Sequence, residues 1–175
     1  MAIQKILVID ANGDVAEYTP VETSAGSADG GKFGVLNTAT GRFDISMMPA
    51  ELEVETLDLP CSENVSAGDY LNVWNDTGTL KFRKADASAI GKKADFYTLE
   101  SKTTGQTVRG HKGGLNNQVT GKTAGDEQFL SDSTPGGTVT KANIPTTTNH
   151  IRQYLGKATA TDVIYSQIEE PIVRG

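Results

Sequence analysis

Apolar and polar residues alternate with a period of two along much of this chain, in short runs broken by Gly, Asn, Asp and Pro. A period of two marks half-buried β-strands, because successive side chains leave a strand on opposite faces. The clearest case lies between residues 59 and 88. Residues 70–74 (YLNVW) are strand formers, Asn75-Asp76-Thr77-Gly78 favour a turn, and residues 79–84 form a second run. The pattern predicts a β-hairpin. Leu80 and Phe82 should share one face, with Lys81 and Arg83 on the other. The apolar face needs a cover, because a lone hairpin is marginal in water. Trp74, at the lip of the hairpin, is expected in the core.

The same logic extends in both directions. Residues 3–9 and 15–18 flank Asn12-Gly13, a hairpin signal because both residues accept positive φ. Residues 19–32 are rich in Gly, Ser and Ala, with too little apolar surface to fold alone. They read as a linker or as an arm lying on a partner. Residues 35–36 and 42–45 flank a Gly-containing loop, a second hairpin or tight turn. Phe43, Ile45, Met47 and Met48 then crowd together before Pro49. Two readings stay open for them: a segment docked on its own domain, or an apolar anchor for another subunit, since Met adapts to irregular surfaces. Residues 50–58 alternate, with Leu52, Val54 and Thr56 opposite Glu51, Glu53 and Glu55, predicting a strand with one acidic face.

Beyond the central hairpin, strands are predicted at 94–100, 105–110, 128–131, 138–140, 151–157 and 161–168. Residues 113–117 read as loop, Thr134-Pro135-Gly136-Gly137 as a turn and 158–160 as the last turn. The tail from 169 is expected to pair as an edge strand or to reach a neighbour. The predicted fold is all-β: an antiparallel β-sandwich or barrel over residues 51–175, preceded by an extended N-terminal arm over residues 1–50 with one or two short hairpins. No internal repeat of fixed period is present.

Composition narrows the function. A net charge of −6 gains nothing from counterion release, which argues against a nucleic-acid partner. No apolar run approaches the ~20 residues of a membrane helix. The start lacks a cleavage site, so folding in a cytoplasm is expected. The single cysteine, Cys61, has no histidine near it in sequence and reads as a small buried hydrophobe rather than a nucleophile.

Motifs for catalysis and metal binding fail in turn. Asp10, Asn12 and Asp14 open like a calcium loop, but Val15 and Val21 stand where that loop needs Gly and Glu. Gly121-Lys122-Thr123 ends like a phosphate-binding loop without its leading Gly, and reads as a turn. His111 and His150 are far apart and in no metal pattern, a solvated loop residue and a strand-edge residue respectively. No serine lies in a nucleophile elbow. The expectation is a non-enzyme with no catalytic residue, no cofactor and no metal site.

Five segments carry a resemblance. Ala67-Gly68-Asp69, then Arg83-Lys84-Ala85-Asp86-Ala87-Ser88, Leu130-Ser131, Pro135-Gly136-Gly137 and Leu155-Gly156-Lys157-Ala158 occur in that order. Together they resemble a β-module common in tailed-bacteriophage virions, found in capsid decoration (cement) proteins and in fibre and baseplate proteins. Residues 41–49 (GRFDISMMP) resemble the lead-in that often precedes it. The likeness runs from residue 57 to the end, about two-thirds of the chain, and departs at His111-Lys112-Gly113-Gly114, where the module more often has an apolar or acidic loop.

The resemblance implies a structural virion protein on the outer capsid surface, with no catalytic residues to carry over. Its expected partners are the major capsid protein, whose neighbouring subunits it would bridge, and itself, as a homotrimer. The arm would wrap those neighbours, with Phe43, Ile45, Met47 and Met48 as partner contacts, and multiplicity would make weak contacts strong. A chain that starts at Met1 and has no long coiled region favours decoration. The alternative is a tail, baseplate or head-fibre adaptor that mediates attachment to a host or a fibre.

Overall fold

A computed structural model of the chain describes residues 6–9, 15–18 and 55–175. The chain divides into two compact units, Met1–Glu53 and Val54–Gly175. In the first, β1 (Ile6–Ile9) and β2 (Val15–Tyr18) pair antiparallel with Ile9 opposite Val15, as the Asn-Gly signal predicts. The Asp10, Asn12 and Asp14 spacing, the Gly/Ser/Ala stretch, the second hairpin and the proposed contacts Phe43, Ile45, Met47 and Met48 lie outside the described residues.

The second unit is all-β: two five-stranded sheets pack together, each antiparallel between neighbouring strands. Helical structure among the described residues is limited to two 3₁₀ turns, Ile90–Lys92 and Lys141–Asn143. The first sheet contains β3 (Thr56–Pro60), β4 (Tyr70–Asp76), β5 (Thr79–Lys84), β6 (Phe96–Thr98) and β7 (Thr107–His111), in the order β3-β7-β6-β4-β5. The hairpin β4–β5 forms as predicted, and Thr77 (φ 52°) and Gly78 (φ 94°) supply the two positive φ values of its turn. Five antiparallel strands curling round must meet in one parallel contact. It falls where Cys61 bridges Phe82 in parallel and the Ser62 N–H donates to the Phe82 carbonyl (2.8 Å). The sheet therefore closes on itself, and Glu63 Oε1 accepts the Lys84 N–H (2.9 Å) along the same seam. Inside sit Cys61, Val65, Leu71, Phe82 and Val108, with Leu57, Leu59, Val73 and Phe96 against them.

This barrel corrects two expectations. Leu57 and Leu59 are the core-facing residues of β3, and Thr56 is exposed, so the strand has the opposite parity to the one predicted from Thr56. Of the expected apolar pair on β5, Phe82 is buried but Leu80 is 53% exposed. The hairpin outruns its neighbour: β6 pairs only with Tyr70 and Leu71, so no strand lies over Leu80.

The second sheet contains β8 (Gly113–Asn116), β9 (Glu127–Leu130), β10 (Thr138–Thr140), β12 (Tyr154–Ala160) and β13 (Val163–Gln167), in the order β10-β9-β12-β13-β8. A separate ribbon pairs β11 (Ile151–Arg152) with β14 (Ile172–Val173), so the tail does form an edge strand. Residues 113–117, read as loop, supply β8. Gly113 and Gly114 have no side chains to show alternation, and one residue, Lys112, carries the chain from the barrel into the second sheet. The last turn falls at Thr161-Asp162 and not at 158–160; Ala158 is buried within β12, which bulges between Ala158 and Ala160. Between the barrel and this sheet lies a second core of Tyr70, Ala85, Ala87, Ala94, Tyr97, Leu130, Ile151 and Leu155.

Candidate interaction face and the junction behind it

The five segments that carry the resemblance converge on one place. The Tyr70 N–H donates to the Gly136 carbonyl (2.8 Å), the Gly136 N–H to Ala85 (2.7 Å), and the Ala85 N–H back to Tyr70 (2.9 Å), a closed ring of backbone hydrogen bonds. Beside it, Ala87 donates to Ser131 (2.9 Å), Ser131 to Gly137 (3.1 Å), and Ile151 to Ala87 (2.8 Å). The Asp69 carboxylate accepts the Ser66 N–H (2.8 Å) and pairs with Lys84 (3.3 Å). Gly156 (φ 144°) lets β12 lie so close to β13 that a Cβ there would stand 2.2 Å from the Tyr165 carbonyl oxygen. These residue types serve backbone proximity, and a small cavity of about 210 Å³ beside them is lined by Gly68, Asp69, Lys122, Gly136 and Gly137. These five segments therefore mark the seam that fastens barrel to sheet.

Two buried polar groups complete the seam. Gln153 Oε1 accepts the Ala94 N–H (2.7 Å), and Gln153 Nε2 donates to the carbonyls of Ala94 (2.8 Å) and Glu169 (2.8 Å). One side chain, between β11 and β12, thus ties this stretch to the barrel and to the tail. The Tyr70 hydroxyl meets Ser166 Oγ at 2.8 Å, and burial holds that phenol far above its ordinary range.

Among the described residues, the other side of the second sheet has no such partner. Direct cross-strand neighbours share a face, so Leu115 (β8), Tyr165 (β13), Lys157 (β12) and Glu127 (β9) form one outward rung. Lys141 continues it, 3.4 Å from Glu127. Leu115 is 56% and Tyr165 46% exposed, whereas Asn116, Gln128, Ile164 and Ser166 between them are buried on the inner face. Along the same face a cleft of about 520 Å³ is floored by Phe129, against which Tyr154 stands edge-on (5.6 Å) and over which Arg152 lies (5.2 Å). Ile172, 69% exposed, borders it. An outward sheet face is usually polar; this one mixes large apolar groups with charges of both signs, the composition of a contact surface.

The remaining concavities offer weaker chemistry. On the barrel, Asp58, Glu100, Arg109 and His111 line a groove of about 540 Å³. Arg109 forks onto Asp58 with two 2.8 Å hydrogen bonds, and this holds the Asp58 carboxyl below its usual range. Lys102 and the Arg109 N–H do the same for Glu100. Both acids are stabilised as anions, the opposite of what a general acid requires. His111 belongs to β7, not to a loop, and stacks on Tyr97 (5.5 Å); burial lowers its pKa. His150 Nδ1 lies 2.9 Å from Asp132.

Cys61 is buried, with its Sγ 3.0 Å from the Thr103 carbonyl, which is the structural role expected for it. Trp74 belongs to neither core; it is half-buried on the outside of the barrel, its indole N–H on Ser62 Oγ (3.1 Å) and the Arg83 guanidinium 4.8 Å from its ring. Lys122 donates to Thr138 Oγ1 (2.8 Å), which in turn donates to Gln128 Oε1 (2.9 Å), so the Gly-Lys-Thr turn anchors locally. Among the described residues no group of three or more His, Cys, Asp or Glu could hold a metal ion, and no helix is long and apolar enough to cross a membrane.

No family model matches the chain, and a search of curated proteins returns no match. The sequence resemblance and the geometry above are what bear on function.

Proposed function

We propose that the chain is a structural virion protein that binds the outer surface of a bacteriophage capsid and stabilises it by bridging neighbouring major capsid protein subunits. The observation that carries this reading is the convergence of the virion-module segments on the ring of hydrogen bonds around Tyr70, Ala85 and Gly136. Turn and strand residues scattered over the chain share one structural task, so their joint occurrence is harder to produce by chance than any one of them. A fold of short, cross-bonded strands with one open mixed face suits a protein whose work is contact.

In this reading the segment with Phe43, Ile45, Met47 and Met48 meets the capsid, and copies of the chain associate with one another. Cryo-electron microscopy of a phage particle carrying the protein tests it. Regular density over the capsid lattice is expected. Density confined to the tail or to one vertex would replace it with the adaptor reading.

A further inference from the structure

We infer that the open face of the second sheet is a self-association surface, and that its occupant is the same unit of a second copy. The inference rests on the reading above and names the surface that reading leaves unassigned.

Charge selects the occupant. Residues 1–53 hold eight of the 22 carboxylates but three of the 16 lysines and arginines; residues 54–175 hold the remaining fourteen and thirteen. The β-unit is thus close to neutral, the condition under which like surfaces approach without net repulsion. The acidic excess of the chain belongs to the other unit.

The face itself carries both signs in one rung. Lys157 sits directly opposite Glu127 in register, but the Glu127 carboxylate turns to Lys141 at 3.4 Å. Lys157 is exposed and makes no ion pair among the described residues. A face holding an uncommitted cation beside a half-exposed carboxylate is complementary to another copy of itself, because the Lys157 of one copy can take the Glu127 of the next. Next to this charged half, Leu115 and Tyr165 pair directly and leave large apolar surface in water. Tyr is the residue type enriched at interface centres. Covering the pair gives the contact its driving force, and the charges set its register.

The test is sedimentation of the full chain over about 1–100 μM, a range that brackets a micromolar contact. The wild type is expected to gain mass with concentration. Leu115→Glu and Lys157→Glu should each weaken association at least tenfold, with unchanged circular dichroism. Mixing the Lys157→Glu chain with a Glu127→Lys chain should restore it, because the opposed charges then meet across the contact. If Leu115→Glu unfolds the unit, Tyr165→Ser takes its place. Leu80→Glu, at an exposed apolar residue on the hairpin tip, should leave association unchanged.

A wild type that stays monomeric throughout, or a Leu115→Glu chain that associates normally, overturns the inference. Loss of association in Leu80→Glu equal to that in Leu115→Glu overturns it too. Co-sedimentation with capsids separates the two proposals. A chain that self-associates through this face but ignores capsids defeats the decoration reading alone. A monomeric chain that binds capsids defeats only the face.

Discussion

The two sides of the second sheet are made from the same strands, yet they obey different rules. On the inner side, Gln128, Asn116, Ser166 and Gln153 are buried, and Gln153 satisfies three backbone groups of two other segments. On the outer side, Leu115, Tyr165 and Lys157 stand in water with no described partner in place. The inner side is fastened by hydrogen bonds, although Gln128 Nε2 is buried there without a partner; among the described residues the outer side is left open. The contrast also explains where the recognisable motifs lie. Gly, Asp and Pro at fixed spacing are demanded by close backbone approach, so motif residues gather at the junction. A contact face needs only exposed side chains of suitable size and charge, which leave no fixed signature.

This contrast makes quantitative demands. The largest effect should come from Gly156→Ala, which places a Cβ 2.2 Å from the Tyr165 carbonyl oxygen at a backbone conformation other residues avoid. A loss of about 4 kcal/mol or failure to fold is expected in urea denaturation. A loss below about 1 kcal/mol would show that β12 can shift, and that the inner side is looser than described. Gln153→Ala should follow with about 3 kcal/mol, because it strands the Ala94 N–H and two carbonyls inside the protein. Tyr70→Phe, which removes the hydroxyl that bonds Ser166 and Asn116, should cost about 1–2 kcal/mol. Leu115→Glu on the outer side should change stability by no more than about 0.5 kcal/mol while abolishing self-association. If it destabilised as much as Gln153→Ala, the two faces would not differ in the way proposed.

The barrel adds a pH signature. Burial lowers the pKa of His111 below its ordinary value, so the unfolded chain binds the proton more readily. Stability from this group is complete above about pH 6.5 and falls as pH drops through the lower folded value. Asp58 and Glu100 are also lowered, by their cationic partners, and their contribution fades further down, below the ordinary carboxylate range near pH 4. Thermal melts from pH 7.5 to 5 should show a decline that His111→Asn removes. A decline unaltered by that substitution would assign it elsewhere.

Alternation and turn chemistry together were enough to predict an all-β unit, the β4–β5 hairpin, the Pro135-Gly136 turn and, from Asn12-Gly13, the pairing of residues 6–9 with 15–18; for the tail they left open an edge strand or a reach to a neighbour, and the structure shows the first. These are local outcomes: side-chain period, turn chemistry and strand propensity act within a few residues. The burial of Cys61 was legible too, since a lone thiol without a nearby base is most at home as a small hydrophobe. What required the tertiary structure was every feature decided by a neighbour far along the chain. The parity of β3 depended on which side the barrel closed, Leu80 was left bare because β6 is short, and two glycines without side chains turned out to be a strand pinned by β13. The open face was invisible for the same reason. Leu115, Lys157, Tyr165 and Glu127 are separated by up to fifty residues and become one rung only through pairing. Sequence set the period of each strand, and long-range register chose which half of that period meets water.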